Sequence, residues 1–199
     1  MDLDEYAPWL ESQVDESVAV HEAVRDQLPV VLEVAATVVE AFRADRRVFF
    51  FGNGGSAADA QHWAAELSGR FYQDRPPLPA VALTTNASAV TAIANDDGYD
   101  EVFVRQLAGQ AEGGDVAVGV STSGNSTNVV RALRYGQENA LVTVGVTSEG
   151  KGGMDPFCEH RIDIPSPDVA RIQEGHLLCG HLLCAAVERE LFGDDNSTR

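Results

Sequence analysis

Apolar residues recur at helical spacing near the start of the chain and then switch to short unbroken runs. Residues 3–22 and 28–44 read as two helices. In the second, Val30, Val31, Val34, Val38, Val39 and Phe42 mark one buried face at i, i+4 and i+8 spacing. Val48-Phe49-Phe50-Phe51 is continuously apolar and is followed by the turn Gly52-Asn53-Gly54-Gly55-Ser56 and an alanine-rich helix from Ala57 to Leu67. The unit then repeats. Ala80–Leu83 reads as a strand, Thr84–Ser88 as a turn, and Ala89–Ala94 and Val102–Ala111 as helices. Val116–Val120 is a third strand, Ser121–Thr127 a turn and Asn128–Glu138 a helix. Leu141–Val146 and Arg161–Ile164 are two further strands, and a long last helix covers Val169–Phe192.

Apolar strands alternating with helices imply an α/β fold with a five-stranded parallel sheet covered on both faces. Ligands of such sheets bind at the carboxyl ends of the strands, where both glycine- and serine-rich turns lie. A length of 199 residues without an internal linker fits a single domain, with the polar tail Gly193–Arg199 expected to fray.

Charge narrows the function. Fourteen basic residues against 31 acidic ones give a formal charge of −17, and Lys151 is the sole lysine. Such a field repels a phosphate backbone, so no nucleic-acid partner is expected, and an anionic substrate would need locally concentrated donors. The acidic start Met1-Asp2-Leu3-Asp4-Glu5 has no apolar region behind it, so no secretory signal is expected. No apolar run reaches membrane length, and no membrane partner is expected. Cys158, Cys179 and Cys184 lack a zinc-ribbon spacing and read as free, buried thiols of a cytoplasmic protein.

Gly52 to Ala57 fits the dinucleotide pattern G-x-G-x-x-A after a strand. The second strand, however, ends in Thr84-Thr85-Asn86, without the carboxylate that would hold a ribose, which argues against a nicotinamide cofactor. Ser121-Thr122-Ser123-Gly124-Asn125-Ser126 gathers hydroxyls and backbone N–H groups at a helix N-terminus, which suits a phosphate monoester. Ordinary helix capping would need only one of those hydroxyls.

His62 and Glu66 lie four apart on one helix face, as a metal pair or an acid/base pair would. Gln173, Glu174, His176 and His181 occupy the last helix. Gln173 and His181 are eight residues apart, about 12 Å along a helix. One metal reaches both only at full side-chain extension, unless the helix begins near Gln173 or one residue serves a neighbouring subunit. His176 reads as a core or partner residue, and His21 and His160 as surface residues. Arg70 and Arg171 could each complement a phosphate. The stretch Glu149–Glu159, with its Gly-Lys-Gly-Gly run, matches no motif.

Phe51 to His62, Ala65-Glu66-Leu67, Ser121 to Ser126, and Arg171-Ile172-Gln173-Glu174 with His181 together resemble the phosphoheptose isomerases of the sugar isomerase (SIS) domain group. The likeness runs from about Arg47 to Phe192 with the motifs in order. It implies a Rossmann-like SIS fold and conversion of sedoheptulose 7-phosphate to D-glycero-D-manno-heptose 7-phosphate. It implies one zinc per subunit, held by His62, Glu66, Gln173 and His181. Carried over by position, Asn53, Gly54, Gly55, Ser56, Asn95, Asp96, Ser121, Thr122, Ser123, Ser126 and Gln173 bind the phosphorylated seven-carbon sugar. Glu66 and His181 become the acid/base pair, and residues 1–45 become helices used in a homotetramer with sites at subunit contacts. Two other readings stand beside it: an isomerase of another sugar phosphate, and a non-catalytic SIS scaffold that binds a replication initiator. The scaffold relative looks to lack counterparts of Glu66 and His181.

Overall fold

The computed structural model describes residues 3–150 and 152–193. Two helices lead, α1 (Leu3–Ala23) and α2 (Leu28–Arg43), joined by a 3-10 turn. Then β1 (Val48–Gly52), α3 (Gly55–Ser68), β2 (Ala80–Ala82), α4 (Ala87–Asp96) and α5 (Val102–Gln110) follow. The chain continues through β3 (Val116–Val120), α6 (Thr127–Glu138), β4 (Val142–Ser148), β5 (His160–Ile164) and α7 (Val169–Phe192).

All strand pairs are parallel, in the order β2-β1-β3-β4-β5. The unbroken apolar run of β1 is explained by burial on two sides. Val48 and Phe50 join a core formed with α2, α3 and α7, whereas Phe49 and Phe51 join a second core formed with α5 and α6. This is the expected three-layer α/β architecture. Strand order reverses between β1 and β3, so the crevice at their carboxyl ends is the topological switch point. The glycine turn after β1 and the serine turn after β3 flank it.

Local chemistry accounts for the boundaries that differ from expectation. Helix α3 starts at Gly55 rather than Ala57, because Gly54, at φ 57°, turns the chain directly into the helix. Helix α4 starts at Ala87, where the Asn86 side chain accepts a hydrogen bond from Ala89 N–H at 3.1 Å. Strand β4 extends to Ser148 by pairing Thr147 and Ser148 with Asp163 and Ile164. The unassigned stretch after β4 folds back on the serine turn: Met154 N–H donates to Gly124 O at 3.0 Å, and Gly153 N–H to Asn125 Oδ1 at 2.8 Å. Gly152 sits so close that a Cβ there would fall 2.8 Å from Gly124 O. His21 and His160 are half-buried rather than on the surface: His21 pairs with Ser17, and His160 packs near Thr37 and Glu33.

Cys179 and Cys184 are buried and Cys158 half-buried, all three free, and burial pushes each thiol up to about 12. Lys151 and the tail 194–199 lie outside the described residues. Among the described residues no helix is long and apolar enough to cross a membrane.

His176 is fully buried on α7 and bonds through Nε2 to Thr147 O at 3.0 Å, fastening the helix to the end of β4. Burial lowers its pKa to about 4, and the bond to Thr147 opposes that only in part. Between pH 6.5 and 4 the unfolded chain therefore binds a proton that the folded chain refuses. Stability is lost as pH falls through that window. In His176→Gln the pH dependence of the unfolding free energy between pH 4 and 6.5 should be shallower by up to about 1.4 kcal/mol per pH unit. Urea titrations at several pH values check this, and an unchanged slope refutes it.

Candidate active site

Helices α3 and α7 approach each other on glycines. A Cβ at Gly55 would fall 2.2 Å from Gln173 Nε2, and one at Gly180 would fall 1.9 Å from Trp63 Nε1. The Trp63 ring leaves no room for a Cβ at Gly180, whereas a Cβ at Gly55 would displace the end of the Gln173 side chain; both contacts mark the register of the helices. That register brings His181 of α7 to His62 of α3, with their Nε2 atoms 2.8 Å apart. Glu66, one turn beyond His62, places Oε1 3.3 Å from the same His62 nitrogen. One ligand atom from each residue lies within 4.8 Å of the others. Two imidazole nitrogens and a carboxylate oxygen at partly exposed positions form a donor set that fits zinc.

One turn before His62, Asp59 has a buried Oδ2 without a hydrogen-bond partner among the described residues. Burial raises its pKa to about 6, against the pull of His62. Its contribution to acid stability has the opposite sign to that of His176, since the folded form binds the extra proton below pH 6.

At the switch point the two turns are tied together. Asn53 Nδ2 donates to Asn128 Oδ1 at 2.8 Å and Asn128 Nδ2 donates to Asn53 Oδ1 at 2.9 Å. Tyr99 Oη also donates to Asn53 Oδ1, at 3.0 Å. The Asn53 amide is thus spent on joining β1 to α6. In the serine turn, Ser121 Oγ lies 2.9 Å from Ser126 Oγ and 3.4 Å from Ser123 Oγ. Ser126 holds the N-cap position of α6, yet its hydroxyl makes no cap bond. Simple capping therefore does not explain these serines. Ser148 Oγ donates to Thr122 O at 2.8 Å and braces the turn from β4.

The structure groups the expected residues unequally. His62, Glu66 and His181 meet, and Ser121, Ser123 and Ser126 meet. Gln173 lies over Gly55 at the opposite end of the α3–α7 contact from His181. Asn95 Nδ2 donates to Asp96 Oδ1 at 2.7 Å, and neither bonds to another expected residue. Ser56 is buried beside Gly52. Arg70 is exposed, whereas Arg171 is held by Glu174 at 2.7 Å and by Gln13 O of α1. Tyr99, Asn128 and Ser148 were not anticipated. Asn128, next to the serine turn, was the one whose position could have signalled its role.

The SIS domain model matches residues 14–148. A phosphoheptose isomerase of Aneurinibacillus thermoaerophilus is 43% identical over 187 residues, covering 92% of this chain and 94% of its own. That of Rhodospirillum rubrum is 48% identical, covering 83% and 88%. The structure of phosphoheptose isomerase GmhA from Neisseria gonorrhoeae superposes with a TM-score of 0.85 at 36% identity, covering 91% and 97%. Fold and site therefore define a SIS-domain sugar-phosphate isomerase. Within that class, the chain belongs to the phosphoheptose isomerase family.

The glycine contact yields a test. Gly180→Ala should force Trp63 and α3 outward and cost about 1–3 kcal/mol through overpacking. Thermal melts would show the loss, and a melting temperature equal to that of the wild type would refute the contact.

Proposed function

We propose that the protein interconverts sedoheptulose 7-phosphate and D-glycero-D-manno-heptose 7-phosphate through an enediol. The observation that carries this reading is the meeting of Glu66 and His181, and it is supported by a serine turn at the strand ends whose N-cap Ser126 makes no cap bond. The phosphate is received by Ser121, Thr122, Ser123 and Ser126 and by the N-terminus of α6. Backbone groups of Asn53, Gly54, Gly55 and Ser56 line the other side of the crevice, with Asn95, Asp96 and Gln173 on the sugar hydroxyls.

Glu66 takes a proton from C1 of the ketose and returns it to C2, and His181 moves the oxygen proton from O1 to O2. Atoms balance, because the product is an isomer of the substrate. Glu66 Oε1 faces His62, while Oε2 has no hydrogen-bond partner among the described residues and serves as the base. His62, Glu66 and His181 would hold zinc, which as a Lewis acid supplies stabilisation of enediolate charge. Gln173, eight residues from His181, joins that set only at full reach or at a neighbouring subunit's site. The reaction belongs in the cytoplasm, where three unpaired thiols stay reduced.

We place the enzyme in a homotetramer. Leu3, Tyr6, Leu10, Val14 and Val18 form an exposed apolar stripe along α1 at helical spacing, the kind of face a second copy covers.

A panel of sugar phosphates in deuterated water, with metal-stripped and zinc-restored protein, tests the reaction. Zinc-dependent conversion of sedoheptulose 7-phosphate with deuterium at C2 is the expected result. Silence across the panel overturns the assignment. Glu66→Gln should fold normally and lose at least about 100-fold in kcat, the usual contribution of a general base. Near wild-type turnover sinks its role. Val14→Glu with Val18→Glu should sediment as a smaller species and lose activity; an active monomer would rule out shared sites.

A further inference from the structure

His181 is held in an unusual way for a metal-ligating histidine. Such residues almost always donate their second ring nitrogen to a carboxylate or carbonyl, which fixes the ring plane. Among the described residues, His181 Nδ1 has no acceptor; its Nε2 faces His62. What lies against the ring is Phe71, stacked at 5.6 Å between centroids with an interplanar angle of 19°.

The loop that delivers Phe71 is anchored with care. Glu188 of α7, 1% exposed, accepts hydrogen bonds from the backbone N–H groups of Phe71, Tyr72 and Gln73 at 3.2, 2.9 and 2.5 Å. Arg75 Nε meets the same carboxylate at 3.1 Å. The Arg75 guanidinium then donates to Glu66 O and Leu67 O, both at 2.7 Å. One buried ion pair therefore joins the backbone of Glu66 to the loop whose aromatic ring faces His181.

We propose that Phe71 is a positioning residue for His181. Its flat face, fixed by the Glu188–Arg75 anchor, holds the imidazole plane so that Nε2 points to His62 and Glu66. This rests on the reading of His181 as metal donor and acid. Phe71→Leu retains apolar bulk but removes the flat face, and Phe71→Tyr restores it. In the full-length protein, Phe71→Leu should weaken zinc binding about 10-fold, the lower end of what losing a hydrogen-bonded outer-shell partner costs. It should lower kcat comparably with KM unchanged, and Phe71→Tyr should recover both.

A readout independent of metal and substrate separates the two readings. In metal-free protein with carbon-13-labelled histidine, the His181 ring resonances should move and broaden in Phe71→Leu and match the wild type in Phe71→Tyr. Wild-type ring resonances in Phe71→Leu, or equal changes in both variants, overturn the proposal. Changed ring resonances in Phe71→Leu alone, with no zinc bound by the wild type, uphold ring positioning and overturn the metal assignment instead.

Discussion

The approach of α3 and α7 on Gly55 and Gly180 is the contact on which the rest of the site depends. Gly180, in the interior of α7, costs roughly 0.5–1 kcal/mol relative to alanine. In return the helix axes come close enough for Trp63 to lie over Gly180 and for Gln173 to lie over Gly55. Both contacts occur between groups more than a hundred residues apart in sequence. Any outward shift of one helix would separate His62 and Glu66 from His181, because those three side chains extend from opposite sides of the same seam. A strict packing constraint thereby becomes a chemical one.

A second constraint is electrostatic. A chain of charge −17 must accept a phosphate ester against its own long-range field. Under the proposed function it does so with short-range donors. Hydroxyls and the helix N-terminus act within hydrogen-bond distance and leave the repulsive long-range field unaltered. This arrangement needs the serine turn to be firm, and the fold supplies bracing from three directions. Ser148 holds Thr122 O, Gly153 holds Asn125, and Asn128 ties the turn to Asn53 of the first crossover. Gly124, at φ 65°, allows the chain to bend between these supports.

Much of this was legible in the sequence because it is written in local patterns. The triple phenylalanine of β1 and the valine runs of β3 and β4 announce strands buried on both faces. The spacing of His62 and Glu66 reports a shared helix face. Other features depend on side chains meeting across the fold, which spacing does not encode. Nothing local indicates that Asn53 would spend its amide on Asn128, or that Gly152 would pack on Gly124. Nor does Glu188, one acid among 31, stand out from residues that merely solvate a surface. His160 looked like a surface residue because its half-burial against α2 depends on sheet position, not on its neighbours in sequence.

Glu188 and Arg75 show why such hidden residues matter. A buried ion pair pays a large desolvation cost and often adds no more stability than a well-packed apolar pair would. Stability alone is therefore a poor reason for this one, whose side chains are 1% and 2% exposed. What an apolar pair could not do is satisfy three consecutive backbone N–H groups and the carbonyls at the end of α3. Without those partners the chain from Gly69 to Pro76, which has no regular structure, would have no fixed path. With them, its backbone is set to within hydrogen-bond tolerance, and Phe71 arrives at the face of His181 as a consequence. The ionic pair acts as geometry, converting the rigidity of two helices into the placement of one ring.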